Sequence, residues 1–480
     1  MNHKILRYIV GWLLIIEAGL MFPSLIVAVI YRERAGVSLL LTMGLCAAVG
    51  LLATMKPPEN KTMRAREGFV AVSLSWIALS AFGALPFVIA GEIPSYIDAL
   101  FEVVSGFTTT GSTILTDVES MSRCLLFWRS FTHWIGGMGI LVFMMSILPL
   151  AGGANMYMMK AESTGPSVGK LVPKVKGTAG LLYRMYMAIS VLMLVLLLIG
   201  RMPLFDALIT VFGTAGTGGF GIKNDSMTSY SMYIQGVTTV FMILFGVSFN
   251  LYYLLWNKKF KSALKMAELR AYLLIILVSI VLISINIYGL GMFDSLFETV
   301  HHAAFQVATI ITTTGFATTD FNLWPTFSKT ILVILMFIGA CAGSTGGGIK
   351  VQRILILVKS LRNELDVIVH PHHVRKMKID GHVIENSVIR SVNIFLAAYV
   401  LIFGVSLLIV SIDNYDFTTN FTAIAATLNN IGPGLEIVGP TGNYSGFSGL
   451  SKLVMIFDML AGRLEVFPLL ILFSRSTWRK

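Results

Sequence analysis

Charged residues are scarce in this sequence. Only 13% of its 480 residues are Asp, Glu, Lys or Arg, whereas 55% are hydrophobic, and the mean hydropathy is +0.78. Soluble globular domains carry about 25% charged residues, so this composition excludes the soluble classes of protein. We therefore expect a membrane protein.

Cysteine is scarce too. The three cysteines, Cys46, Cys124 and Cys341, all lie in apolar runs, with no CxxC pair and no histidine at metal-ligand spacing. This spacing excludes a disulfide framework and a cysteine-based metal site. The sequence also lacks a convergent Ser/His/Asp set and an HExxH motif. We expect neither an enzyme nor a cofactor bound to this chain.

Long apolar runs, by contrast, recur from end to end. A helix of roughly 20 apolar residues crosses the ~30 Å hydrocarbon core of a bilayer. We count about ten such runs, at 8–31, 36–55, 68–90, 124–150, 181–203, 232–256, 271–291, 330–357, 391–412 and 450–474. The first run is too long for a signal peptide and is followed by Tyr-Arg-Glu-Arg rather than a small-residue cleavage site, so we expect it to remain as a helix.

The basic residues follow the alternation of these runs. The net charge is +11 at pH 7, and most Lys and Arg fall on one side if the runs alternate, within 56–66, 160–176, 258–265, 359–378 and 475–480. The positive-inside rule makes that side cytoplasmic. We therefore expect both termini in the cytoplasm, membrane lipid around the chain, and no nucleic-acid partner.

Four segments on the opposite side are too polar to span. They lie at 91–123, 204–231, 292–328 and 413–449, and each contains a short apolar stretch before a glycine-rich turn. Such re-entrant segments are tolerated at membrane depth where they are buried in protein or line water. The fold predicted is an all-α membrane protein with four repeated span, pore-loop, span units around one central pore. Two N-terminal transmembrane helices in 1–56 precede the repeats, which we place at 67–151, 152–257, 266–358 and 387–480.

Each of these four segments carries one acidic residue near the start of its half-helix and another after its glycine turn. Asp98, Asp206, Asp294 and Asp416 head the four short half-helices, where we expect them to act as N-caps. A second acid follows each glycine turn, and we expect these four to form a ring that concentrates cations at the outer mouth. They are Asp117, Asp225, Asp320 and Glu436.

Threonine-glycine turns carry the central functional prediction. The chain reads FTTTGST at 107–113 and ITTTGFATTD at 311–320. A cation that sheds its water needs replacement oxygens, which rings of carbonyls supply, and glycine permits the backbone turn that aims them. The predicted filter residues are Thr109, Thr110, Gly111, Ser112, Thr217, Gly218, Gly219, Phe220, Thr313, Thr314, Gly315, Phe316, Asn430, Ile431, Gly432 and Pro433.

With these motifs, the chain resembles the TrkH/Ktr superfamily of potassium transporters. The resemblance runs nearly end to end and is carried by TTTGST, TGGF, TTTGFATTD, AESTGPSVGKLVPKVKGTA and GACAGSTGGGIK, while the two extra N-terminal spans resemble the TrkH branch. It implies potassium uptake through the inner membrane of a bacterium, a homodimer, and a cytosolic nucleotide-binding regulatory subunit of the Trk type. Any ATP, ADP or NADH would bind that partner. Loop two lacks the triple threonine and loop four has Pro433 after its glycine.

The eighth apolar run is interrupted by a glycine-rich stretch at 339–350. Each glycine costs about 1 kcal/mol of helix propensity, so we expect the helix to unwind there. The resemblance makes this the loop that blocks the pore and moves to open it, with gate residues Gly343, Ser344, Thr345, Gly346, Gly347 and Gly348. A phosphate-binding loop is disfavoured because Ile349 separates Gly348 from Lys350. Helix packing through Gly343 and Gly347 stays open.

Arg463 is a basic residue deep inside the last apolar run. A central arginine costs roughly 2.5–3.5 kcal/mol on insertion scales, so it should face the bundle interior. We assign it to the gate as a positive barrier, with an ion pair to Asp458 or Glu465 as the structural alternative.

Two further structural predictions concern a pair of histidines and a polar segment. We expect His301 and His302 to be packed rather than metal-ligating, and 371–387 to form a hairpin turning at Asp380-Gly381.

Two other functions stay open: a sodium-coupled or sodium-permeable member of the superfamily, and a broken-helix secondary transporter of organic solutes.

Overall fold

The computed structural model of the protein describes residues 1–58, 63–139, 175–370 and 377–478. Across these ranges the chain is helical apart from loops and one two-residue hairpin, Lys378–Ile379 paired with His382–Val383. The predicted all-α fold and the predicted turn at Asp380-Gly381 are both confirmed. Most of the AESTGPSVGKLVPKVKGTA motif, the end of the run at 124–150 and the first repeat boundary lie outside the described residues.

The N-terminal part forms a helical hairpin. Helices α1 (His3–Leu20) and α2 (Phe22–Tyr31) run as one span, and α3 (Gly36–Thr54) returns. Gly11 and Gly50 allow α1 and α3 to pack closely, since a Cβ on Gly50 would lie 2.7 Å from the Gly11 carbonyl oxygen. Small residues at such a contact are the usual means of close helix packing in lipid.

The remaining helices follow one order four times: a long helix, a short half-helix, a loop, and another short helix. The first set is α4 (Ala65–Gly83), α5 (Leu85–Ala90), α6 (Tyr96–Phe107) and α7 (Arg123–Met138). The second is α8 (Val175–Ile199), α9 (Leu204–Gly216), α10 (Met232–Phe245), α11 (Phe249–Trp256) and α12 (Phe260–Lys265). The third is α13 (Ala267–Tyr288), α14 (Leu296–Ile311), α15 (Thr326–Ile338) and α16 (Val351–Val369). After the hairpin come α17 (Asn386–Val410), α18 (Phe417–Leu428), α19 (Gly449–Arg463), α20 (Phe467–Leu470) and α21 (Arg475–Trp478).

Six helical segments in the described ranges are long and apolar enough to cross a membrane, or seven if the bent pair α10 and α11 is counted. The pair bends by 89°, so the run at 232–256 is not the straight span that its composition predicts. The other closing helices are short as well, because α7 ends at Met138, α15 at Ile338 and α19 at Arg463. The predicted break at 339–350 is confirmed, and in the described residues a comparable break also occurs after Phe245 and after Arg463.

The half-helix caps differ from the prediction. Ser95 caps α6 and Ser295 caps α14, each accepting a hydrogen bond from the backbone N–H three residues on, while Pro203 precedes α9. Only Asp416 is an aspartate N-cap as expected, accepting from the Thr419 N–H at 2.9 Å. A serine cap leaves Asp98 in the first turn of α6, where it pairs with Lys452 of α19 at 2.6 Å.

Candidate functional site

The four glycine turns meet in one closed ring. Each glycine packs against the carbonyl oxygen of the residue before the glycine in a neighbouring loop, so closely that a Cβ would collide with or crowd that oxygen. The four pairs, each a glycine and its facing carbonyl, are Gly111 and Gly218, Gly219 and Thr314, Gly315 and Ile431, and Gly432 and Thr110. The loops that the sequence places far apart are therefore brought together, and side chains are excluded from the contact.

All four loops share one backbone conformation. The chain enters the left-handed region at two positions, two residues apart, in each loop. The first has φ of +55° to +58° and is Thr109, Thr217, Thr313 or Asn430; the second has φ of +77° to +100° and is Gly111, Gly219, Gly315 or Gly432. Sequence analysis anticipated the glycines but missed the first position, since threonine is uncommon in that region.

The threonines of the TTTG motif brace the ends of the half-helices. Thr108 donates to the Val104 carbonyl oxygen at 2.6 Å, and its hydroxyl also lies 2.8 Å from that of Thr110. Thr312 and Thr314 repeat the 2.8 Å contact in the third loop. Each of these hydroxyls thus has a hydrogen-bond partner within its own loop. The backbone carbonyls are left as the oxygens shared by all four loops.

Loops one and four are also joined by side chains. Asn430 donates from its amide to the Thr110 hydroxyl at 2.9 Å, and Ser112 donates to the Gly432 carbonyl oxygen at 3.0 Å. The Tyr444 hydroxyl donates to the same Gly432 oxygen at 2.8 Å. Tyr444 was not anticipated, because it lies 12 residues beyond its partner and in no motif.

An open cavity of about 140 Å³ lies over the ring and is lined by all four ring glycines. The charged side chains lining it within the described ranges are Arg129 and Lys223. None of the four acids predicted to ring the mouth lines this cavity, although Asp225 and Asp320 line a neighbouring one, so the ring stays a prediction. They are engaged in the surrounding loops, as at Asp117, whose pKa is lowered by a hydrogen bond from the Asn224 side chain.

The glycine-rich loop 339–350 packs against the other side of the ring. Gly347 donates its N–H to the Thr313 hydroxyl at 2.6 Å, and a Cβ on Gly346 would lie 2.9 Å from the Thr312 carbonyl oxygen. These contacts involve residues that precede the ring glycines, whereas the cavity adjoins residues that follow them. The loop therefore lies across the ring from the cavity.

Glycine is required at several positions in this loop. Gly339, Gly343 and Gly348 have φ between +71° and +77°, and a Cβ on Gly347 would collide with the Asn429 carbonyl oxygen. Because the segment is not helical, packing of Gly343 and Gly347 as one helix face does not describe it.

Two buried cations hold the loop. Arg463 donates to the Thr345 carbonyl oxygen at 2.7 Å and to the Gly136 and Gly137 carbonyl oxygens at the end of α7, the latter at 2.9 Å. Lys350 donates to the Gly346 carbonyl oxygen. Sequence analysis singled out Arg463 but missed Lys350, although its position at the end of an apolar glycine-rich run was a usable signal.

The acids proposed as partners of Arg463 make other contacts. Asp458 accepts a hydrogen bond from Ser406 at 2.7 Å, and Glu465 forms an ion pair with Arg353. Arg463 itself donates to backbone carbonyl oxygens of the loop and of α7.

The two histidines are packed, as predicted. His301 hydrogen-bonds to Gln235 at 2.8 Å and His302 to the Thr318 hydroxyl at 2.9 Å. No group of three or more His, Cys, Asp or Glu suited to a metal ion occurs in the described part of the chain.

Comparison with known proteins identifies the family. A family model described as TrkH, cation transport protein, matches residues 39–480. The Trk system potassium uptake protein TrkH of Salmonella typhimurium is 36% identical over 486 residues, and the match covers 100% of both chains. TrkG of Escherichia coli, also a Trk system potassium uptake protein, is 34% identical over 99% of both chains. The crystal structure of the potassium transporter TrkH from Vibrio parahaemolyticus matches with a TM-score of 0.90 at 33% identity, covering 100% of both chains. The chain belongs to the TrkH family of cation transport proteins.

Proposed function

We propose that this protein takes up potassium across the cytoplasmic membrane through the ring formed by its four loops. The observation that carries the proposal is the shared backbone of the loops, with glycine at the point where each meets a neighbouring carbonyl. Relatives that match the whole chain are potassium uptake proteins. Potassium is the substrate, and transport needs no covalent chemistry from the protein.

Ion selection rests on replacing water with fixed oxygens. The carbonyl oxygens of Thr110, Gly218, Thr314 and Ile431 adjoin the ring glycines, so together they can substitute for the hydration shell of an alkali cation. Each half-helix ends immediately before its loop, which directs the partial negative charge of its carbonyl end toward the ring. We assign the sixteen filter residues named from the sequence, 109–112, 217–220, 313–316 and 430–433, to this role.

The loop 343–348 is the proposed gate. It lies against the ring on the side away from the outer cavity, where it obstructs the path of an ion that has passed the carbonyls. Arg463 and Lys350 hold it by donating to its carbonyl oxygens, and they place positive charge beside that path. Opening requires these contacts to break together.

A cytosolic element is mechanically linked to this gate. Asp380 in the hairpin accepts a hydrogen bond from the Ala267 N–H at 2.7 Å, and the adjacent Glu268 accepts from the Ala342 N–H at 2.6 Å. Lys359 of α16 also donates to the Lys378 carbonyl oxygen at 2.7 Å. This link supports regulation of the gate through the hairpin. We propose that the regulator is a nucleotide-binding partner that senses ATP, ADP or NADH, that the transporter is a homodimer, and that its chain termini are cytoplasmic.

Flux through the purified protein tests the proposed function. Protein reconstituted in vesicles should accumulate rubidium, a potassium analogue, faster than sodium, and empty vesicles should accumulate neither. Equal rubidium and sodium uptake would favour the sodium-permeable alternative, and uptake of rubidium only when sodium is present would indicate sodium coupling.

A further inference from the structure

A buried ion pair stands behind the first two loops of the ring. Glu102 on α6 is fully buried, and its Oε1 accepts a hydrogen bond from Nε of Arg129 on α7 at 2.6 Å. The Glu102 carboxylate also accepts from the Thr113 hydroxyl at 2.9 Å and from the Ile114 N–H at 2.9 Å. One side chain thus fixes the stretch of loop one that follows Gly111.

Arg129 performs the matching task for loop two. Its Nη1 donates to the Gly221 carbonyl oxygen at 3.2 Å, and its guanidinium carbon lies 3.4 Å from the centre of the Phe220 ring. Arginine can make both contacts because its planar guanidinium donates hydrogen bonds at its edge while its face stacks on an aromatic ring. The pair therefore joins the stretches that follow the ring glycines in loops one and two, which also meet at their glycine-to-carbonyl contact and through Asn224 and Asp117.

Equivalent positions in the four loops carry different residues, and the glutamate belongs to loop one. Counting back seven residues from the first left-handed residue of each loop gives Glu102, Thr210, Gln306 and Ala423. In loop four a neighbouring hydroxyl, that of Thr422, accepts from the Leu435 N–H at 2.9 Å, a role like that of Glu102 toward Ile114. A neutral hydroxyl is thus sufficient to hold the stretch of loop that follows a ring glycine. Holding that stretch does not by itself require a charged side chain.

The charge has a second consequence. Arg129 lines the outer cavity that the ring glycines also line, so an unpaired guanidinium there would repel an arriving cation. The Glu102 carboxylate offsets that charge at contact distance. Buried ion pairs contribute little net stability after desolvation, so stability does not account for this pair.

We propose that Glu102 and Arg129 act as a positioning pair that sets the spacing of the first two loops and thereby sharpens discrimination of potassium from sodium. This inference rests on the proposed function of the ring. Neither side chain contacts the ion; both act through loop backbone.

Single substitutions separate the parts of the pair. Glu102→Gln keeps the shape but removes the charge, and Arg129→Lys keeps the charge but removes the stacked fork. We expect each to lower the rubidium-to-sodium flux ratio by about tenfold, the effect of losing one charge-assisted hydrogen bond. Arg123→Lys is the matched control, because Arg123 lies on the same helix and also stacks on a ring, that of Tyr31 at 4.4 Å, and its flux ratio should be unchanged.

A double variant and a binding measurement complete the test. Glu102→Gln alone leaves the Arg129 charge unpaired beside the cavity and should raise the KM for rubidium. Glu102→Gln with Arg129→Gln leaves no unpaired charge, so the KM should return toward that of the unmodified protein while the flux ratio stays low. Thr113→Val removes one hydrogen bond from Glu102 without changing any charge, and serves if the charge variants do not fold. Potassium should raise the Tm of the unmodified protein more than sodium does, and this difference should be smaller in the variants. The Tm measurement does not depend on flux.

The outcomes separate the two proposals. The flux ratio of the unmodified protein tests the proposed function, and the change from that ratio in the variants tests the pair. Folded Glu102→Gln and Arg129→Lys proteins with unchanged flux ratio, KM and potassium-dependent Tm would overturn the positioning role. An unmodified protein that does not distinguish the two cations would overturn both proposals.

Discussion

Arg463 donates a hydrogen bond to the Thr345 carbonyl oxygen at 2.7 Å, and so joins α19 to the loop that lies across the ring. The same guanidinium reaches the Gly137 carbonyl oxygen at 2.9 Å on α7. One side chain from the fourth set of helices therefore connects the first set to the loop of the third.

Loss of this connection should open the gate. Arg463→Gln removes a charged donor of several hydrogen bonds, each worth about 1.5–3 kcal/mol, so we expect basal rubidium flux without a partner to rise by roughly tenfold or more. Shortening loop 343–348 by two or three residues should have the same direction of effect. Arg34→Gln, at an exposed position in the turn between α2 and α3, is the control. A folded Arg463→Gln protein with unchanged basal flux would count against the gate.

The contact between loop and ring gives a narrower test. Thr313→Val keeps the side-chain shape but removes the hydroxyl that accepts from Gly347 at 2.6 Å. The buried N–H then lacks this partner, at a cost of about 1–3 kcal/mol, and basal flux should rise several-fold. Thr330→Val, which removes an exposed hydroxyl bonded to Thr326 on α15, should not change flux. Equal flux in the two variants would show that this contact does not hold the loop closed.

Selectivity should depend on the ring glycines. Gly315 has φ of +89°, and a Cβ there would collide with the Ile431 carbonyl oxygen. Gly315→Ser must therefore displace one carbonyl, and we expect the rubidium-to-sodium flux ratio to fall by at least an order of magnitude, the loss of about 1.4 kcal/mol of discrimination. Gly404→Ser on α17, where a Cβ meets nothing within 4 Å, is the matched control. An unchanged ratio in Gly315→Ser would remove the glycine from the filter.

The hairpin should transmit motion to the gate loop. Asp380→Ala removes the side chain that caps the start of α13 at Ala267, a loss of about 1 kcal/mol for a typical helix cap. We expect faster amide hydrogen exchange at Ala267 and, through Glu268, at Ala342. Glu364→Gln, at an exposed position on α16, controls for loss of surface charge. Faster exchange at Ala267 alone would show that the link stops before the gate.

The ring could be predicted from the sequence because its requirement is local. A carbonyl that approaches Gly111 or Gly315 leaves no room for a side chain, and that demand is written as the repeated TTTG motif. The place of each polar loop between two apolar runs then put the four loops at matched positions in the repeats. The break at 339–350 was predictable for the same reason, since several adjacent glycines weaken a helix.

Features that depend on contacts between distant segments were not predictable in the same way. The 89° bend after Phe245 lies in an apolar run whose composition fits a straight span. Ser95 rather than Asp98 caps α6, since either residue type serves as a cap and only the backbone decides. The acids after each glycine predict a charged ring, but nothing in the sequence indicates that Asp117 bonds to Asn224 or that Arg129 lines the cavity.

The sequence holds a local indication of the Glu102 and Arg129 pair, although the overall composition does not reveal it. An ionisable residue of each sign lies within apolar surroundings, and such residues inside a membrane segment are costly unless paired. Their separation of 27 residues gave no indication that they meet behind the ring.

Anomalous scattering from bound rubidium tests the central claim most directly. Crystals of the protein grown with rubidium in place of potassium should show an anomalous peak on the axis of the ring, within coordination distance of the carbonyl oxygens of Thr110, Gly218, Thr314 and Ile431. The peak should be absent when sodium replaces rubidium and in Gly315→Ser crystals. Rubidium peaks found only away from the ring, with the axis empty, would contradict the account.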